Sequence, residues 1–196
     1  GKFIYPSFVD PLTDYGANTP KRSAAGFNFG APGQFLSNKT GAYNWNQAIK
    51  PEVNAVETFS IDESAAAGFR NNGYGVVMTH VKDGIARGTA AVVTLAGTNE
   101  NQSILKSKAA QVFSFDKGIS TQTYPSSLMG SIALLRQTYL DAKWYATKPA
   151  SEGVNLSLEA FNANASLPQI FVADDKWSTL RADRIAKEFG TQYIIR

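Results

Sequence analysis

The stretch from residue 168 to residue 195 carries the pattern that most restricts the fold of this chain. Apolar runs at residues 168–172 and 192–195 predict two strands. Between them lies a helical pattern with these apolar residues: Trp177, Leu180, Ile185 and Phe189. Asp174 or Asp175 is placed to cap that helix, and Gly190 to end it. A strand, a helix and a strand in so short a span predict a βαβ unit with parallel strands and a right-handed crossover.

The first half of the chain adds further strands and a helix. An apolar, β-rich run at residues 3–9 predicts a strand that is buried on both faces. Ser60 and Glu63 have the spacing of a capping box, so a helix is predicted to begin at Ser60. Gly73 suits the end of that helix, and residues 74–80 are predicted to form the next strand.

The middle of the chain predicts two more strands and two more helices. Residues 89–95 and 111–115 are predicted to form short strands, which could be a small, hairpin-like β excursion from the core of parallel strands. The clearest helical pattern spans residues 127–146, and a shorter helix is expected at residues 156–162. The long helix has one apolar stripe that is predicted to be core: Met129, Ile132, Leu135, Tyr139 and Ala142.

The length of the chain limits the size of the barrel that it can form. With 196 residues, of which 43% are hydrophobic, it can bury one core, so one domain over residues 1–196 is predicted. A complete eight-stranded barrel takes roughly 250 residues. The chain is therefore too short for eight βα units, and its four to six core strands predict an α/β fold with buried parallel strands. Uncovered strand edges invite pairing, so we expect self-association, or edges masked by the loop of residues 10–46.

Charge and composition exclude several classes of function. The net charge is +3, but the basic residues are scattered, so nucleic-acid binding is not expected. No window is apolar enough to span a membrane, and no signal peptide is recognisable. A soluble protein is expected, either cytoplasmic or exported with its signal removed. The chain has no cysteine and one histidine, His80, so thiolate chemistry is excluded and any imidazole chemistry depends on that residue.

Three stretches carry a resemblance to a known family: residues 5–14 (YPSFVDPLTD), residues 69–77 (FRNNGYGVV), and residues 126–136 (SSLMGSIALLR) together with 168–190. In order and spacing they resemble the amidohydrolase superfamily, in the branch near imidazolonepropionase. The resemblance implies a partial TIM-type (β/α) barrel, one piece of a longer chain, in a family of enzymes that hydrolyse C–N bonds, often in cyclic amides. It also implies a zinc or similar ion that activates a water molecule.

The resemblance also implies where the metal ligands should be, and this chain departs from the pattern there. The positions of the first histidine pair are Leu12 and Asp14, and a later His-Ala-His stretch reads Val172-Ala173-Asp174. An aliphatic side chain has no lone pair to give a metal ion. A middle-strand ligand would match Asp116 only loosely. No metal and no cofactor are therefore expected in this chain.

Four residues remain as candidates for a site, each with a structural alternative. His80 ends a strand, where barrel active sites form, so it could be a catalytic base, or a partly buried histidine bonded to a loop. Asp10, Asp14 and Asp174 could share the mouth of the barrel and carry acid–base chemistry or bind a hard cation such as Ca²⁺. Alternatively, Asp174 caps a helix and the other two bond to their own backbone.

A Gly-rich stretch at residues 26–33 lacks the Lys-Ser/Thr pair and the strand-to-helix context of a phosphate loop. Aromatic residues lie in and after it: Phe27, Phe29, Phe35, Tyr43 and Trp45. They could form a sugar- or partner-binding surface, or they could fix a long loop to the body of the protein.

Three functions follow from these patterns. The first is an amidohydrolase-like domain with a degenerate metal site and a structural or supporting role. The second is a C–N hydrolase of cyclic amides whose ligands are completed outside this segment, and the third is a ligand-binding module that uses the aromatic loop. The partners expected are the remainder of the polypeptide or a second copy, and a small cyclic amide.

Overall fold

A computed structural model describes residues 3–21, 33–96, 99–149 and 151–196. It contains six strands: β1 (Phe8–Thr13), β2 (Tyr74–Thr79), β3 (Ala86–Thr94), β4 (Ile104–Ser114), β5 (Gln169–Val172) and β6 (Tyr193–Ile195). The helices are α1 (Ala55–Thr58), α2 (Glu63–Asn71), α3 (Glu100–Ser103), α4 (Leu128–Tyr145), α5 (Leu156–Ala163) and α6 (Lys176–Phe189). A 3-10 turn, Asn164–Ser166, follows α5. Over these residues no helix is long and apolar enough to cross a membrane.

The six strands form one sheet in which each strand lies beside its neighbours in the sequence. β1 and β2 are parallel, as are β4 and β5, and β5 and β6. β3 is antiparallel to both β2 and β4. Five strands therefore point one way and β3 points the other, so the expectation of parallel strands was correct except for β3.

The predicted β excursion is part of the main sheet. β3 and β4 form an antiparallel pair, as the hairpin-like reading expected. They are longer than predicted, with nine and eleven residues, and β4 also pairs with β5. The prediction of an excursion was wrong, because β4 has strand partners on both sides and lies at the centre of the sheet.

The first strand lies later in the chain than predicted, and it is not buried on both faces. β1 begins at Phe8, while the apolar residues Phe3 and Ile4 precede it and are 88% and 95% exposed. Phe8 and Val9 are also mostly exposed. β1 is an edge strand, so an apolar composition alone did not bury its first residues.

Helix caps explain where two of the helices begin and end. The side chain of Asp62, rather than that of Ser60, accepts a hydrogen bond from Ala65 N at 3.0 Å, so α2 begins after Asp62. At α6 the Asp175 carboxylate accepts from two backbone N–H groups, so Asp175 and not Asp174 is the cap. Gly190 ends α6 with φ +68°, as predicted.

The two faces of the sheet pack into different clusters. Phe113 and Phe171 pack with α4, α5 and α6, while their neighbours Val112 and Ile170 belong to a cluster on the opposite face. In the predicted apolar stripe of α4, Leu135 and Ala142 are buried, and Ile132 and Tyr139 pack partly buried against the core. The prediction was wrong for Met129, which is 81% exposed.

The segment before α1 pairs with the first half of β3, beyond the end of β2. Ile85 N donates to Ala48 O at 2.7 Å, and Thr89 N donates to Val53 O at 2.9 Å. Gly88 has φ +83°, and a Cβ at this position would collide with Val53 O. The close approach of these two backbones therefore requires glycine.

Candidate functional site

The carboxyl ends of the five parallel strands meet at one edge of the sheet, which we call the rim. His80 directly follows β2, and Asp14 and Asp116 lie just past β1 and β4. Asp174 lies just past β5. Because β3 is antiparallel to these five strands, it begins at the same edge of the sheet. Its second residue, Arg87, therefore lies at the rim. The rim thus collects three of the four candidate residues and adds an arginine, whereas Asp10 lies within β1.

His80 is buried, with 5% of its surface exposed, and both ring nitrogens have partners. Its Nδ1 lies 2.9 Å from Thr13 O, and its Nε2 lies 3.5 Å from Arg87 Nη1. A proton on Nδ1 satisfies both contacts, since Nε2 then accepts from the guanidinium. Burial lowers the pKa of His80 to about 4, and nearby Arg87 lowers it further while Asp14 opposes the shift. The ring is therefore neutral at neutral pH.

Arg87 is the site residue that sequence reasoning missed. It is 3% exposed, and its Nε donates to Gly84 O at 3.0 Å. Burial lowers its pKa, while Asp116, Asp83 and Asp174 act in the opposite direction. Over the described residues it forms no ion pair within 4 Å. The only signal in the sequence was a charged residue at the start of an otherwise apolar strand.

The three aspartates differ in their surroundings. Asp10 accepts a hydrogen bond from Leu12 N at 3.2 Å, the local backbone contact expected for it, and its Oδ1 lies 3.7 Å from Arg196 Nη2. Asp14 and Asp174 are exposed and face the His80–Arg87 pair only through electrostatic interaction. Their carboxylates are thus available to solvent at the rim.

The two positions at which the resemblance implies a histidine, Leu12 and Val172, are part of the packed sheet. Leu12 is 3% exposed and packs in one cluster with Ala90 and Ala110, and Val172 packs against the same cluster. Over residues 3–21, 33–96, 99–149 and 151–196, no three His, Cys, Asp or Glu side chains come close enough to hold a metal ion. These residues do not fit the zinc centre that the resemblance implies.

A concavity lies outside the sheet, between the segment that precedes α1 and the loops that follow β2 and β4. Its volume is about 420 Å³. Tyr43, one of the aromatic residues singled out above, lines it. Trp45 instead stacks on Tyr124, with ring centroids 6.2 Å apart, and Phe35 is 68% exposed. Phe27 and Phe29, with residues 26–32 of the Gly-rich stretch, lie outside the described residues.

No protein-family model matches the chain, and no curated protein sequence matches it either. A solved structure, an amidohydrolase from Thermotoga maritima MSB8, superimposes with a TM-score of 0.69 and 21% sequence identity. The chain shares a fold with about half of that enzyme. The superposition covers 97% of this chain and 51% of the other, so the chain spans about half the length of that amidohydrolase.

Proposed function

We propose that this chain is an amidohydrolase-like half-barrel with a degenerate metal site, which has no metal-dependent hydrolase activity by itself and has a structural or supporting role. The observation that carries the proposal is the packing of Leu12. A metal ligand at that position would have to reach the rim with a lone pair, but an aliphatic side chain fills it and lies within a buried cluster. The relation to the imidazolonepropionase branch is part of the same proposal and rests on the motifs of residues 5–14 and 126–136.

The remaining rim groups support a binding role better than hydrolysis. A general base that works at neutral pH needs a pKa near 7, whereas the pKa of His80 is lowered to about 4. The exposed Asp14 lies near the buried His80 ring and the exposed Asp174 near the buried Arg87 guanidinium, an arrangement that offers both acceptors and a donor. The rim can hold a polar group without activating water.

Metal analysis of the purified protein tests the proposal. After dialysis against zinc and removal of the free ion, we expect far less than one zinc per chain, and an unfolding midpoint that EDTA does not change. The matched variant is His80→Gln, which removes the only imidazole. Stoichiometric zinc in the wild type that is lost in this variant would overturn the proposal.

A second candidate function is favoured by the half-length superposition. If the other half of a barrel lies elsewhere in the polypeptide or on a partner, it could supply the missing ligands for hydrolysis of a cyclic amide. The longer polypeptide would then bind zinc and hydrolyse such a substrate, while the 196-residue chain would not. Absence of zinc and activity from the longer polypeptide would remove this candidate.

The open edges of the sheet support the remainder of the polypeptide, or a second copy, as the partner. Within the described residues no strand pairs with the outer edge of β1 or β6. Phe8, Val9 and Ile194 at these edges are 68%, 60% and 55% exposed. Light scattering after size exclusion should find self-association of the isolated chain, and addition of the remaining half should convert it to a one-to-one complex. A chain that remains monomeric and does not bind the other half would contradict this.

A further inference from the structure

The outer face of α4 carries apolar side chains that the core does not use. Met129, Leu140 and Trp144 are 81%, 53% and 52% exposed, and Ala133 is also exposed. These four residues recur at spacings of four, seven and four, so they form one row along the helix, which we call the outer stripe. The buried residues of α4 lie on the opposite side of the helix, so the outer stripe points away from the sheet.

The outer stripe is separate from the rim and from the open edges of the sheet. α4 follows β4, which lies in the interior of the strand order, whereas the open edges belong to β1 and β6. Strands added at those edges would therefore leave the outer stripe uncovered. The stripe is about 22 Å long, and a row of exposed apolar side chains of this length is typical of an interaction surface.

The outer stripe is symmetrical about the midpoint between Arg136 and Gln137. Ala133 and Leu140 lie at equal distances along the helix on either side of that midpoint, and so do Met129 and Trp144. If two copies of α4 pair in antiparallel fashion around a two-fold axis at the midpoint, Leu140 faces Ala133 and Trp144 faces Met129. Each contact then joins a large side chain to a smaller one, the arrangement that packs well between two helices. Such symmetry is what a contact between identical copies requires.

The charges beside the midpoint are also complementary to a second copy. Arg136 Nε donates to Glu188 Oε2 at 2.8 Å, an ion pair that joins α4 to α6. A two-fold axis at the midpoint places this ion pair next to its own copy, so that two positive and two negative charges alternate around the axis. A guanidinium has five N–H donors, so Arg136 can also donate to Glu188 of the second copy.

We propose that α4 is a dimerisation helix, through which two copies of this chain pair in antiparallel fashion along the outer stripe. The contact consists mainly of one helix face from each copy, which is at the lower end of interface sizes, so we expect a weak dimer with a Kd on the order of 10–100 µM. This surface differs from the strand edges of the proposed function, and either contact can form without the other.

Cysteine variants test the register, because the chain contains no cysteine of its own. In the antiparallel pair position 137 lies next to its own copy, so Gln137→Cys should form a disulfide-linked dimer under mild oxidation. Ala133→Cys and Leu140→Cys should link to each other when mixed, but not to themselves. Two copies of position 133 are about 10 Å apart along the helix axis, whereas the Cα atoms of a disulfide are rarely more than about 7 Å apart.

A matched pair of variants tests the contribution of the apolar contact. Leu140 and Leu180 are 53% and 56% exposed, but Leu180 lies on α6, outside the outer stripe. Leu140→Glu places two carboxylates in the proposed contact and should weaken dimerisation at least tenfold, whereas Leu180→Glu should associate as the wild type does. Light scattering at chain concentrations above the expected Kd measures the difference. Because both leucines are at the surface, the two variants should keep the unfolding midpoint of the wild type.

Three results would each overturn the proposal. One is that Gln137→Cys stays unlinked. Another is that Ala133→Cys links to itself as readily as Gln137→Cys does, since the helices would then not pair in this register. The third is that Leu140→Glu and Leu180→Glu associate equally. Association through the strand edges alone would give the first and third results, so the dimerisation helix would be rejected while the proposed function remained.

Discussion

Asp10 on β1 and Arg196 directly after β6 lie at opposite ends of the strand order, yet their side chains form an ion pair of 3.7 Å. The first and last strands of a flat sheet with six strands would be far apart, since neighbouring strands are separated by about 4.8 Å. The sheet is therefore curled, so that its two edges face each other across an opening that one arginine side chain can span.

Removing this ion pair should have a small and salt-dependent effect. Arg196 is about half exposed, so we expect Arg196→Gln to lower the free energy of unfolding by less than about 1 kcal/mol. High salt should remove the difference. Denaturant unfolding at low and high salt measures it. Amide exchange in β6 should rise in Arg196→Gln. It should stay unchanged in the control, Lys187→Gln, which breaks an exposed ion pair within α6. A large, salt-independent loss in Arg196→Gln would contradict an exposed pair.

The single histidine should make stability depend on pH. The pKa of His80 is about 4 in the folded chain and 6.5 in a model peptide, because burial disfavours the charged ring. The unfolded state binds the proton more readily, so the contribution is fully present above pH 6.5 and is lost as the pH falls towards 4. The loss is on the order of 3 kcal/mol.

Urea unfolding of the wild type and His80→Gln across this pH range isolates the effect. Both proteins share every carboxylate, so the difference between their pH profiles reports His80 alone. The ring proton can also be followed by NMR without an assignment problem, because the chain has one histidine. Parallel profiles for the two proteins, or a ring that titrates near pH 6.5, would show that His80 is not buried as described.

Two buried glutamines, each 1% exposed, predict opposite effects of the same substitution. Gln111 Nε2 has no partner among the described residues, so Gln111→Met should be neutral or stabilise by up to about 1 kcal/mol. The Gln122 amide accepts from Gln47 N at 2.6 Å and donates to two backbone carbonyls, at 2.9 and 3.0 Å. Gln122→Met should therefore destabilise by at least about 2 kcal/mol. Equal changes in the two unfolding curves would refute the distinction.

Two glycines also predict opposite effects of the same substitution, in this case glycine to alanine. Gly88→Ala combines a positive φ with a collision against Val53 O, and should destabilise by more than about 2 kcal/mol. Gly68 lies within α2 with nothing near its would-be Cβ, so Gly68→Ala should stabilise slightly, by about 0.5–1 kcal/mol. Thermal unfolding of both variants measures the contrast. A stable Gly88→Ala would mean that segment 48–54 does not lie against β3.

The elements that the sequence predicted well depend on local contacts. β5, α6 and β6 follow one another within one βαβ unit, and the cap residue and Gly190 lie in the same short stretch. The direction of β3 could not be read in this way. It depends on pairing with β4 and on segment 48–54, and an apolar strand has the same composition in either direction.

The same difference between local and non-local contacts explains which residues of the candidate site were predicted. His80, Asp14 and Asp174 were placed at the rim because the end of a parallel strand marks that edge of a sheet. Arg87 was missed because it reaches the rim only through the reversal of β3. The concavity of about 420 Å³ was missed because Ile119 joins Lys39 and Glu52 there from a distant part of the chain.

The pairing of segment 48–54 with β3 has a kinetic consequence. This segment also accepts a hydrogen bond across a very long separation: Asn164 Nδ2 donates to Pro51 O, a contact between residues 113 positions apart in the chain. Asn44 N reaches Ser157 Oγ over the same separation. Chains dominated by such non-local contacts fold slowly, because a large loop must close before any contact rewards it. The central sheet should therefore become complete only after most of the chain has left the ribosome.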